Sequence, residues 1–200
     1  MASQQDIEAA LDALCEEWNK AESAIKLAEQ VNGEIVNPAI YELRYAGRRV
    51  VEALSKREED PDTAKKLLDD AHFDCCRARH DAIDAATSKM TADLRIAIDR
   101  IGADVVLDKF RDLSKLLAEL SKVRKLIATS RENRNDRDSI YATIQDVNLF
   151  DIVSMFDEFQ ASETVLKAAA ARIRISRFIS YGFGVLGITL TIVFGILSLA

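Results

Sequence analysis

Apolar side chains recur every three or four residues through most of the chain, the period of a helix with one buried face. Ile7, Leu11, Leu14, Trp18, Ile25 and Leu27 predict a first helix over about residues 4–30, and Asn32-Gly33 punctuates it. Asn37-Pro38 predicts a second start, because asparagine caps free amides and proline is tolerated in the first turn. Ile40, Leu43, Gly47, Val50 and Leu54 give that helix its seam, with Gly47 as a point of close backbone approach. After the charged connection Lys56 to Asp60, Asp60-Pro61 opens a third helix. Its line of mostly small residues, Ala64, Leu68, Ala71, Cys75, Ala78, Ala82 and Ala85, predicts a tightly packed antiparallel hairpin with the second. The third helix continues through Met90, Leu94 and Ile98 to Ile101, where Gly102 breaks it. Val106, Phe110, Leu113, Leu117 and Leu120 predict a fourth helix, Ser130 to Asp138 an exposed turn, and Ile140, Ile144, Val147, Phe156 and Phe159 a fifth. The expected fold class is all-α, a bundle of about five helices.

The pattern changes at the end of the sequence. Phe178 to Ala200 carries no charged residue, and at about 1.5 Å of rise per residue it is long enough for a hydrocarbon core of roughly 30 Å. Arg172, Arg174 and Arg177 precede it and no basic residue follows, so the positive-inside asymmetry predicts a cytoplasmic N-terminal part and a single-pass tail anchor in the lipid bilayer. Residues 163–177 hold an alanine run without a breaker, which predicts one rod continuous with the anchor. The expected division is a cytoplasmic bundle over 1–158, a juxtamembrane helix over 159–177 and the anchor over 178–200. Gly184, Gly187, Thr191, Gly195 and Ser198 set small residues along one face of the anchor, a pattern suited to close packing of membrane helices and so to a homo-oligomer. A water-filled pore has only Ser180, Thr189, Thr191 and Ser198 as polar lining, so any gating would be hydrophobic.

Composition narrows the function. The formal charge of −6 argues against bulk nucleic-acid binding. Three cysteines, two adjacent at Cys75-Cys76, do not form a disulfide framework and are expected as thiols, and the acidic N-terminal stretch lacks the pattern of a secretory leader. His72, Cys76 and His80 stand at i, i+4 and i+8 on one helical arc, but the two imidazoles are two turns apart and a further ligand would be needed, so packing is the preferred reading and no metal or other cofactor is expected. Arg44 and Arg48 on the second helix, with Arg77 and Arg79 on the third, are the candidate anion site, and Tyr41 and Tyr45 offer a surface on which a base could stack. The competing reading pairs such arginines with Glu42, Glu52, Asp74 and Asp81. Lys122, Arg124, Lys125, Arg131, Arg134 and Arg137 form a second basic cluster, expected to be solvated, with lipid headgroups or an acidic partner as the functional alternative.

No phosphate-binding glycine loop, HExxH, paired CxxC or hydrolase elbow is present, and Arg77 to His80 is too short for the arginine-to-histidine spacing of helical HEPN ribonucleases, so the expectation is a noncatalytic protein. The segment NPAIYELRYAGRRVVEAL, the helix RARHDAIDAA and the glycine-rich tail together resemble, in gross plan, the membrane effectors of prokaryotic antiviral systems of the CRISPR-associated and abortive-infection kinds. The resemblance implies a body that senses a nucleotide ligand or a protein partner, and a membrane oligomer, in a bacterial inner membrane, whose output is growth arrest or depolarisation. The alternative is a noncatalytic tether, for which any adequate apolar tail would serve.

Overall fold

The computed structural model describes residues 2–197, giving the backbone alone at 148, 177, 178 and 180–197. The described residues are helical almost throughout: α1 (Gln4–Asn32), α2 (Asn37–Lys56), α3 (Pro61–Ile101), α4 (Ala103–Lys109), α5 (Leu113–Glu132), α6 (Arg137–Thr143) and α7 (Phe150–Leu197). The all-α class stands. Among the described residues no helix is long and apolar enough to cross a membrane; the apolar run from Phe178 falls, apart from Ile179, where only the backbone is given, and Ser198 lies outside the described residues.

Local chemistry sets the boundaries. Ser3 and Asp6 form a reciprocal capping box at the start of α1, and Gly33 ends it in the left-handed region at φ 69°. The Asp60 side chain accepts from the Thr63 amide at the start of α3, with Pro61 in the first turn. Asn37 does not cap α2: Val36 holds that position without a side-chain bond, and Pro38 alone supplies the start signal.

The 41-residue α3 is the spine. It packs against both α1 and α2, which scarcely touch each other. Small residues permit this: Ala39, Ala46 and Ala53 of α2, and Ala21, Ala24 and Ala28 of α1, are buried, as are Ala64, Ala71, Cys75, Ala78 and Ala82 of α3. The hairpin of α2 on α3 is therefore present, but its seam is the alanine line one residue before the expected one. Ile40 and Leu54 are exposed, and the nearest atom to a Cβ built on Gly47 is the Trp18 ring at 3.8 Å, an ordinary contact with a side chain rather than a backbone.

The second half packs on the C-terminal part of α3. The expected fourth helix is two, because Phe110 is extended (φ −113°, ψ 98°) and turns its ring edge-on to Phe159 of α7, with centroids 5.4 Å apart. The buried face of α5 is Leu113, Leu116, Leu120, Val123 and Ile127, so Leu117 points outward. The predicted polar turn is largely helical: α5 runs to Glu132 with Ser130 fully buried, a 3-10 turn spans Arg134–Asp136, and α6 follows. The expected fifth helix is interrupted by a π-helical segment, Ile144–Leu149, which buries Ile144 and Leu149 and exposes Val147.

α7 ties these parts together. Its 48 residues span about 72 Å. Ile152, Phe156, Phe159, Leu166 and Ala170 are buried in the common core, which thus extends past residue 158. Arg174 then donates to the carbonyls of Arg100, at 2.9 Å, and Ile101 at the C-terminus of α3, two of the acceptors a helix end leaves open.

Candidate functional site

The residues singled out as an anion site do not assemble. Tyr41 and Tyr45 are exposed on the outer face of α2, where the Arg44 guanidinium lies 6.0 and 5.8 Å from their ring centroids. Arg48 is exposed on the same helix. Arg77 pairs with Glu42 at 3.0 Å, and Arg49 pairs with Asp74. Arg79 turns inward: it is 2% exposed and its Nε donates to Glu17 Oε1 of α1 at 2.6 Å. The α2–α3 arginines mostly hold helices together, as the competing reading had it.

Gly184, Gly187, Thr191 and Gly195, expected from the sequence to pack as an anchor, lie on α7 where only its backbone is described, and Ser198 lies outside the described residues. Of the arginines expected to flank a membrane, Arg172 is exposed, Arg174 is bonded to the end of α3, and Arg177 is described by its backbone alone.

A different place gathers positive charge. Thr87, Thr91 and Arg95 stand at i, i+4 and i+8 on α3, facing Arg124 and Arg131, seven residues apart on α5. Between the helices lies a groove of about 640 Å³, lined also by Ala92, Ile127 and Ala128. It is continuous, through Thr91, Arg95 and Arg124, with an apolar hollow of about 320 Å³ lined by Leu94, Ile98, Leu117 and Leu120. Arg131 is held by Asp84 at 2.9 Å, and Asp84 also accepts from the Tyr141 hydroxyl at 2.7 Å. Arg95 and Arg124 have no ion-pair partner among the described residues. Thr87 is 2% exposed and its Oγ1 has no hydrogen-bond partner, a buried polar atom that a ligand oxygen would satisfy. Two open guanidiniums, a third braced by a carboxylate, and an orphan hydroxyl suit a phosphate group, and the apolar end suits a flat or aliphatic remainder. Arg124 and Arg131 belong to the second basic cluster of the sequence, but Arg95 was not singled out. Its signal was the Thr87-Thr91-Arg95 repeat, and only packing with α5 turns that repeat into a groove.

His80 and the cysteines are inward-facing. His80 stacks on Tyr141 with ring centroids 4.0 Å apart, and its Nε2 lies 3.1 Å from Asp138 without hydrogen-bond geometry. Burial, then the charges of Arg79 and Arg137, depress its pKa to about 3. Unfolded histidine takes up a proton near pH 6.5 that the folded state refuses, so the stabilising contribution is whole above that pH and is lost as pH falls toward 3. Thermal unfolding followed from pH 7 to 4 should show a loss steeper in the native chain than in His80→Gln, by at most about 1.4 kcal/mol per pH unit.

All three cysteines are free thiols, with Cys15 exposed and Cys75 and Cys76 buried. Burial, then the nearby Glu17 carboxylate, pushes both buried thiols up to about 12. Titration with a thiol reagent should therefore give one fast modification, at Cys15, and two that wait for unfolding.

Comparison of the chain with protein-family models, with curated proteins and with solved structures gives no match.

Proposed function

We propose that this protein is an oligomeric effector anchored in a membrane by its C-terminal helix, whose helical body binds a small phosphate-bearing ligand and passes the change to the bilayer, altering its integrity or conductance. The observation that carries the reading is the continuity of α7: one helix runs from Phe150, through the buried Ile152, Phe156 and Phe159, to Leu197 in the apolar stretch without a break. A rearrangement around Phe156, Phe159 or Arg174 is thereby transmitted to the tail as a rotation or tilt, since a helix is stiff over this length. The α3–α5 groove supplies the receiving end, and α3 meets α7 at Arg174. The body faces the cytoplasm, the protein acts without catalysis, a nucleotide fits the groove chemistry, and antiviral defence in a bacterial inner membrane is the setting that the overall plan resembles.

The reading separates from that of a tether by exchanging the tail. Gly184→Ile with Gly187→Ile, or a plain leucine helix in place of residues 178–200, should leave the protein in the membrane fraction but abolish the depolarisation or growth arrest caused by its expression. Retention of that output by the leucine-tailed protein would make the tail a mere anchor and the bundle a recruiter of another protein.

A further inference from the structure

On the α1–α3 face of the bundle, remote from the groove in sequence and role, three ligating groups converge. His72 Nδ1 is 3.8 Å from Cys76 Sγ, one helical turn apart on α3. A carboxylate oxygen of Glu17 arrives from α1, and the three donor atoms all lie within 4.8 Å of one another. A tetrahedral ion with metal–sulfur and metal–nitrogen bonds of about 2.3 and 2.0 Å separates such a sulfur and nitrogen by roughly 3.5 Å, so small side-chain rotations suffice.

We propose that Glu17, His72 and Cys76 form a site for a zinc-class divalent cation between α1 and α3, with the fourth position open to water. Thiolate, imidazole and carboxylate together select a borderline-soft ion over magnesium or calcium. Glu17 and Cys76 are buried and His72 is half-buried, so the histidine side is the way in and the place for the water ligand. Arg79 stands behind the ligands: its Nε donates to Glu17 Oε1 at 2.6 Å, which fixes the carboxylate. His80, which the helical arc suggested as a ligand, does not take part, because it is stacked on Tyr141.

The test is cobalt titration of the metal-stripped full chain in mild detergent. The expected result is saturation at about one equivalent per chain, with a thiolate-to-cobalt charge-transfer band and the visible bands of tetrahedral cobalt, all displaced by zinc. Cys76→Ser should abolish the charge-transfer band, and His72→Gln, at a half-buried position, should weaken binding at least about tenfold. His80→Gln should leave spectrum and affinity unchanged. Absence of a saturable cobalt spectrum, a charge-transfer band that survives Cys76→Ser, or equal loss in His80→Gln overturns the site, whatever becomes of the membrane function.

Discussion

Glu17→Ala is expected to lower the thermal midpoint of the metal-free protein by roughly 10 °C, the largest effect of any single polar substitution in the bundle. Glu17 is 6% exposed and Arg79 2%, and the 2.6 Å bond between them is the principal compensation for a guanidinium held inside the α1–α3 seam. Arg79 Nη1 already lacks a partner, so nothing nearby takes over when the carboxylate goes. Breaking a buried pair from one side costs about 3–5 kcal/mol, because the remaining charge stays desolvated. The same physics says that the pair is not itself a large source of stability. Glu17→Leu combined with Arg79→Met should recover most of the loss, and unfolding of both variants with chelator present measures the difference. A single variant within about 1 kcal/mol of the native chain would mean that Arg79 escapes to solvent.

Phe159→Ala should cost about 3–5 kcal/mol and also uncouple the body from the tail. Phe159 is 1% exposed, stands edge-on to Phe110 and helps line the junction of α3 and α7. Its removal leaves a cavity at the point where the irregular Phe110 segment grips α7, so the penalty combines lost burial with lost packing. Because the backbone of α7 does not depend on this ring, the helix itself should persist in circular dichroism while the cooperative unfolding transition moves down. On the proposed function the variant stays membrane-bound yet no longer links ligand binding to output. Leu117→Ala, on the exposed side of α5, should by contrast change stability little.

How much of this was legible in the sequence depends on what each feature required. The starts at Asp60-Pro61 and the stops at Gly33 and Gly102 were legible because capping and left-handed or otherwise unusual glycine conformations are local chemistry. The seam of α2 was misplaced because large apolar residues were preferred, whereas α3 is approached from two sides and only alanines fit. The breaks at Phe110 and Ile144–Leu149 arise from tertiary packing, which a continuous 3–4 pattern conceals. Glu17 was the missed signal with the clearest trace: it occupies a core position in the run Leu14, Glu17, Ala21, Ala24, Ala28, Val31, and an acid there asks for a buried cation. Arg79, two residues from the exposed Arg77, reads from the sequence as part of the same basic surface, yet it is the buried partner of Glu17. For the groove, the Lys122 to Arg137 cluster was visible as charge, but its division into a groove-facing pair, Arg124 and Arg131, and outward lysines required the packing of α5.

The central claim, that the tail of α7 assembles the protein, is tested most directly by the molecular mass of the full chain in mild detergent beside a chain ending at Arg177. That endpoint keeps Ala170 and the Arg174 bonds to α3, so the body retains its packing. The account predicts a discrete oligomer for the full chain and a folded monomer for the shortened one; monomers in both cases would contradict it.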